Sequence, residues 1–222
     1  MKHRWTAALL ALALVLALPF SAAAETFSTE DFTMEIPEGT YVFTPTTSTE
    51  DPNWAMAGVA NPDSELSTLA EMNGVAELVT EDGETTILVQ QQESDQTQAY
   101  FNLRYLTEEQ QADFLDAIMQ SQTDEITVDK YYLDVDGQPF YRIRIDGTYQ
   151  ETGYHELIYG TIVNGFTLAF NIYGGEESVT QEQEDLLLGI VESVQFSEIL
   201  PKPETTVDTS DIVTTISLLA TL

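Results

Sequence analysis

Apolar side chains fall at alternate positions on both sides of Asn164-Gly165, from Leu157 to Val163 and from Phe166 to Ile172, with Thr161 the one polar interruption. Alternation of this kind is the mark of a strand with one face buried. Asn-Gly readily adopts the positive φ values of a two-residue type I′ turn, so the pattern predicts a hairpin. In that register Val163 meets Phe166, Thr161 meets Leu168, Tyr159 meets Phe170 and Leu157 meets Ile172, all on one face. The other face carries Ile158, Gly160, Ile162, Thr167, Ala169 and Asn171, with Gly160 opposite Ala169. Small residues there admit a closely packed helix. The hairpin is therefore expected at the centre of a sheet covered on both sides.

The same patterning places the remaining elements. Phe32, Met34 and Ile36 alternate along Asp31–Ile36, Pro37-Glu38-Gly39 makes a turn, and Tyr41–Phe43 reads as the returning strand. Asp51-Pro52 and Asn61-Pro62 each pair an N-cap residue with proline at the first helical position. The first opens a short helix with Trp54 and Met56; the second opens one with Leu66, Leu69 and Ala70 on a stripe and Gly74 as its C-cap. A second hairpin, Val75–Thr80 and Thr85–Gln91, turns at Asp82-Gly83 and sets Leu78 by Ile87 and Ala76 by Val89. Gln90 to Gln98 is polar and without period. Thr107-x-x-Gln110 is a capping box for a helix to about Gln120, with Phe114, Leu115, Ile118 and Met119 inward.

A third hairpin, Glu125–Leu133 and Pro139–Tyr149, turns at Asp136-Gly137. Its register puts Tyr132 by Tyr141 and Val128 by Ile145 on one face, and Asp129 by Arg144 and Tyr131 by Arg142 on the other. An ion pair and a cation–π pair follow, which a slip of one residue would destroy. After the Asn-Gly hairpin, Gly174-Gly175 breaks the strand, and Thr180-x-x-Gln183 caps a last helix with Leu187, Ile190, Val191 and Val194 on one side. The expected fold class is α+β: an antiparallel sheet of hairpins flanked by helices.

Both ends of the chain depart from this pattern. Lys2, His3 and Arg4, the apolar run Thr6–Phe20 and Ala22-Ala23-Ala24 form a secretory signal-peptide pattern, with cleavage expected between Ala24 and Glu25. The folded domain is expected over residues 25–198, followed by an acidic Pro/Thr linker at 199–211. Ile212–Leu222 is apolar; as a helix it would reach about half of a ~30 Å hydrocarbon core. It reads as a segment that docks on the domain or as the start of a membrane anchor. The expected address is extracellular or cell-surface.

Charge then narrows the partners. The 222 residues hold 38 Asp and Glu against 7 Lys and Arg, a formal net charge of −31. Such a surface repels phosphate backbones, which argues against nucleic-acid binding. The chain has 0 cysteines, which removes thiol catalysis, thiolate zinc and iron–sulfur chemistry, and no cofactor is expected. His155-Glu156-Leu157-Ile158-Tyr159 starts like a zincin motif but lacks the second histidine and lies on a strand, where positions i and i+4 are about 13 Å apart. As a general base His155 has no recognisable nucleophile beside it. Asp134-Val135-Asp136-Gly137 resembles the opening of a calcium loop without its later ligands, and a hairpin turn accounts for it. Arg142 and Arg144, with Tyr131 nearby, are the candidate contacts for an anionic ligand or partner; cross-strand pairing with Asp129 and stacking on Tyr131 would equally employ them. No catalytic or metal-ligating set is identified.

Phe32-Thr33-Met34-Glu35-Ile36-Pro37-Glu38-Gly39, the strand Gly137–Gly147, the long hairpin through Asn164-Gly165 and the helix leading to Ser193-Val194-Gln195-Phe196 together resemble the PsbP-like superfamily. That group also holds the Ran-binding Mog proteins and many exported bacterial proteins. The resemblance spans most of Phe27–Phe196 and implies an α/β/α sandwich with a binding or assembly role and no catalysis; no partner-binding residue of the group can be placed on this chain. The expected function is an exported, non-catalytic module of the cell surface that binds a protein or small ligand. An envelope-acting hydrolase using carboxylates or His155, and a small-ligand or lipid carrier, are the alternatives. A cavity with neighbouring carboxylates of raised pKa would favour the hydrolase, and an apolar pocket the carrier.

Overall fold

The computed structural model describes residues 25–118, 126–149 and 151–204. The expected signal-peptide segment, most of the expected linker, the apolar C-terminal segment, Met119 and the start of the third hairpin at Glu125 lie outside the described residues.

Among the described residues ten strands form two sheets. A three-stranded sheet has the order β1 (Glu25–Ser28), β2 (Phe32–Ile36), β10 (Gln195–Phe196). The larger sheet has seven strands in the order β3 (Thr40–Phe43), β4 (Gly74–Thr80), β5 (Thr86–Glu93), β9 (Phe166–Gly175), β8 (Thr152–Val163), β7 (Gln138–Tyr149), β6 (Ile126–Val135). All pairings are antiparallel. The helices are α1 (Pro52–Met56), α2 (Pro62–Glu71), α3 (Asp95–Tyr100), α4 (Glu108–Ile118) and α5 (Gln181–Glu192), with a 3₁₀ turn at Leu103–Tyr105. This is the expected antiparallel α+β architecture.

The β8–β9 hairpin turns on Asn164 (φ 50°) and Gly165 (φ 84°), and all four expected pairs are present. Leu157, Tyr159, Leu168, Phe170 and their neighbours enter the main core, which β2 and α5 close with Phe32, Met34, Ile36, Leu187, Ile190 and Val191. On the other face Gly160 is covered by the ring of Tyr141 from β7, so closely that a Cβ would lie 2.4 Å from it. A cross-strand aromatic, rather than a helix backbone, uses the space that the small residues leave. Behind Tyr141 the second core joins Ile143, Ile145, Ile158 and Ile162 to Leu103 and to Phe114, Leu115 and Ile118 of α4.

The other hairpins keep their expected registers, Leu78 by Ile87, Tyr132 by Tyr141, Asp129 by Arg144 and Tyr131 by Arg142. Both Thr-x-x-Gln boxes form: Thr107 N–H donates to Gln110 (3.0 Å) and Thr180 N–H to Gln183 (2.9 Å). Four local expectations are corrected. Tyr41–Phe43 does not return along β2; it pairs with β4 in the other sheet, because Phe32, Met34 and Ile36 are drawn onto α5 and the chain changes sheets at Gly39 (φ 73°). The left-handed position after α2 is taken by Asn73 (φ 54°), while Gly74 opens β4 and gives way to Leu69, whose side chain would lie 2.1 Å from a Cβ there. The polar stretch after Gln90 continues β5 and then forms α3, capped reciprocally by Ser94 and Thr97. The segment taken as the start of the linker is docked: Leu200 N–H donates to the Asn164 side chain (2.9 Å) and the Tyr105 hydroxyl donates to the Leu200 carbonyl (2.7 Å).

Candidate functional site

Arg142 and Arg144 stand two residues apart on β7, as expected, and both point at α5. Between them sits Glu184, which the sequence reading did not single out. Arg142 Nε donates to Glu184 Oε1 at 2.7 Å, Arg144 Nη1 to Glu184 Oε2 at 3.1 Å, and the Tyr159 hydroxyl to Glu184 Oε1 at 3.3 Å. The second arginine charge is met by Asp129 and Asp146. Although Asp129 faces Arg144 in register, it accepts diagonally from Arg142 (2.8 Å), while Arg144 Nε turns to Asp146 (2.7 Å) and its Nη2 to the Val179 carbonyl (2.7 Å). Glu184 outcompetes the cross-strand partner because it reaches both guanidinium groups from a helix packed over them. The guanidinium of Arg142 lies over Tyr131 at 5.0 Å, the expected cation–π pair. Burial pushes the Glu184 carboxyl up, but the hydrogen bond and charge of Arg142, with Arg144 behind it, hold it net below the ordinary carboxylate value. The arginine cluster is thus a strut joining β7 to α5. Each guanidinium already meets two carboxylates.

His155, on β8, meets Asp146 at 2.9 Å and Ser178 at 3.2 Å, a trio with the residue types of a hydrolase triad. Both partners share Nδ1. A relay needs the acid on one ring nitrogen and the serine on the other, so that the proton taken from serine has a separate site. This arrangement lacks that separation and serves to tie the Ser178 loop to the sheet. Asp134, in the calcium-like sequence, accepts the N–H of Gly137 at 2.9 Å within the hairpin turn.

The opposite face of the large sheet holds a feature absent from the sequence reading. Helix α2 covers the β4 side and α4 the β7 side with Ile158 and Ile162 of β8, and between them β5, β9 and the Glu156 end of β8 are left open. The result is a groove of about 620 Å³. Its floor carries Leu88, Gln90, Thr167 and Asn171; Leu69 of α2 and Met72 just after it form one wall, Phe114 and Tyr141 the other. The Asn171 amide donates to the Gln90 carbonyl oxygen, and Gln90 Nε2 donates to the Met72 carbonyl at 2.8 Å, which fixes the amides in the middle of the floor.

Two glutamates stand at its ends. Glu77 on β4 faces Leu88, which faces Asn171, which faces Ile158, so β4 and β8 are three strand spacings apart. Glu156 on β8 pairs with Tyr173. The two positions are therefore about 14 Å apart across the strands and, being two residues out of line, about 7 Å along them, a separation of about 16 Å. Burial, with the charge of Glu65 added, pushes the Glu77 carboxyl up to about 7. Burial also raises Glu156, partly offset by the Tyr154 hydroxyl that donates to it at 2.6 Å. Tyr154 is itself pushed up, by burial first and Glu156 second, and stays a donor. Its ring meets that of exposed Tyr173 at 5.5 Å, forming an aromatic lip beside Glu156. Among the described residues no lysine or arginine lines the groove. A sequence signal existed: Thr167 and Asn171 are polar on a face of the hairpin that was expected to be covered.

Among the described residues no group of three or more His, Cys, Asp or Glu is placed to hold a metal ion, and no helix is long and apolar enough to cross a membrane. No protein-family model matches the sequence, and no curated protein sequence matches it. Among solved structures the chain is similar to cyanobacterial PsbP (CyanoP) from Synechocystis, at 11% identity and a TM-score of 0.44, over 80% of this chain and 95% of that one. It is also similar to the apo immunity protein TplEi of the T6SS from Pseudomonas aeruginosa, at 10% identity and a TM-score of 0.37, over 85% of this chain and 83% of that one.

Proposed function

We propose that the protein is an exported, non-catalytic binding module of the cell surface and that its ligand lies in the groove across β5, β9 and β8. The observation that carries this reading is the groove itself: a preformed concavity of about 620 Å³ with an apolar wall on each side and a few polar groups held in place on its floor. That combination is what small-ligand sites have in common. The signal-peptide pattern at residues 1–24 supports export. Two features weigh against hydrolysis. The groove glutamates stand on strand positions about 16 Å apart, beyond the ~5–9.5 Å of glycosidase pairs, and His155 presents one nitrogen to both of its partners. The arginines that first suggested an anionic partner are engaged with Glu184, Asp129 and Asp146. A lipid carrier is less well served, because amides and carboxylates occupy the floor.

The test is a thermal-shift screen of small molecules from the cell envelope, run on the wild type and on Leu88→Trp. Leu88 is half-buried at the centre of the floor, so tryptophan there fills the groove without entering the main core. Ligands that raise Tm of the wild type but not of the variant, and that are recovered unaltered by mass spectrometry, are expected. Ligands indifferent to Leu88→Trp, or recovered cleaved, would overturn the reading.

A further inference from the structure

We propose that the ligand of the groove is a small linear polyamine, an aliphatic chain with an ammonium group at each end; this rests on the reading of the groove as a ligand site. The placement of charge is the reason. Glu77 and Glu156 mark the two ends of one trough that runs obliquely over the strands for about 16 Å, with Leu88, Ala169 and the bonded Gln90–Asn171 amides between them. A metal ion or a single-headed amine satisfies one end only. A chain with two cationic ends satisfies both, and its methylenes lie along the apolar part of the floor and the Leu69 wall.

The Glu156 end has a second feature suited to an ammonium group. The Tyr154–Tyr173 lip presents aromatic faces beside the carboxylate, and an ammonium between ring and carboxylate gains from both. Among the described residues no cation lines the groove to compensate either glutamate. Their burial costs are therefore carried by the free protein and relieved when a cation is seated. Glu77, held up to about 7, is the clearer case. The net charge of −31 would draw such a ligand in from solution.

The experiment is isothermal titration of the full protein with spermidine at 150 mM NaCl. The comparisons are cadaverine, too short to span both ends, N,N′-diacetylated spermidine, and MgCl₂. Glu77→Gln and Glu156→Gln keep shape and hydrogen-bonding capacity, and Glu108→Gln, outside the groove on α4, is the charge control. One-to-one binding of spermidine is expected, weakened at least tenfold by cadaverine's length, by diacetylation and by either groove substitution, and unchanged by Glu108→Gln. Binding that Mg²⁺ matches, or that all three substitutions reduce alike, is adventitious attraction to an acidic surface and would overturn the proposal. If spermidine fails while another ligand is lost in Leu88→Trp, the groove reading stands and the polyamine falls. If Leu88→Trp affects nothing, both fall.

Discussion

At the scale of single residues, Glu77 is where this protein departs most from what stability alone would select. Its neighbours on the β4 strand, Ala76 and Leu78, enter the main core; Glu77 itself looks into the groove with Leu69 and Leu88 beside it. Burial holds its carboxyl up to about 7 against an ordinary value of 4.5. The sign of the consequence is fixed by linkage. Below pH 4.5 the group is protonated folded or unfolded and costs nothing. Between 4.5 and 7 the unfolded chain releases the proton while the folded one keeps it, so stability falls as pH rises, and above 7 the full cost is present. Discounted because the side chain keeps part of its solvation, that cost is about 1–2 kcal/mol. Glu77→Gln is therefore expected to match the wild type near pH 4 and to exceed it in urea-unfolding stability by about that amount at pH 8. A difference constant from pH 4 to 8 would show that the carboxyl is not held in its neutral form. Glu184 runs the other way: paired with Arg142 and Arg144, it contributes stability above the unfolded carboxylate range that is lost on acidification.

At the scale of elements, the junction of α3 with the Asn164-Gly165 turn shows how tertiary bonds create structure that periodicity does not announce. The Thr97 hydroxyl donates to the Gly165 carbonyl at 2.6 Å, the Gly165 N–H donates to the Phe101 carbonyl at 2.8 Å, and Phe101 itself takes φ 60° to make this possible. A six-residue helix is marginal alone; here it exists because its end clasps a hairpin tip. Thr97→Val preserves shape while leaving the buried Gly165 carbonyl and the Ser94 N–H each short of a partner, and is expected to cost about 1–3 kcal/mol. It should appear in urea unfolding as a lower midpoint with an unchanged slope; a loss under about 0.5 kcal/mol would mean the clasp is incidental. The same distinction separates what was legible in the sequence from what was not. Hairpins written in Asn164-Gly165, Asp136-Gly137 and Asp82-Gly83 were readable to the residue, because turn chemistry and alternation are local and agree. The departure of Tyr41–Phe43 to the other sheet was not, since Pro37-Glu38-Gly39 turns the chain equally well toward either partner. The arginines were legible as a pair, but Glu184, 42 residues beyond Arg142, could be found only by knowing which face of α5 lies on β7. The groove is the extreme case. It arises from where α2 and α4 stop covering the sheet, and no stretch of sequence encodes that by itself.

For the molecule as a whole, the excess of 38 acidic over 7 basic residues sets a field that individual contacts only modulate. Three of the few cations are committed locally. Arg142 and Arg144 brace β7 against α5, and Lys130 reaches Asp116 at 3.1 Å and the Leu115 carbonyl at 2.8 Å. Most surface carboxylates thus face other carboxylates, and the compact state pays in self-repulsion. Salt should act on this in one direction. At 10 mM ionic strength charges interact over about 30 Å, the breadth of a domain; at 150 mM the range falls to about 8 Å. The buried Arg142–Glu184 pair is screened little, and the exposed Arg142–Asp129 contact is worth under about 1 kcal/mol, so little attraction is lost in exchange. Stability at pH 7.5 is expected to rise by about 1–2 kcal/mol between 10 and 150 mM NaCl, a Tm increase of roughly 3–6 °C, and the gain should shrink at pH 4 as carboxylates are neutralised. A Tm that falls with salt at pH 7.5 would mean that ion pairs, not repulsion, govern the fold. Because the same field brings a cation to the groove, added salt should weaken polyamine binding while it strengthens the protein. That opposition separates electrostatic attraction to the groove from any general effect of salt on folding.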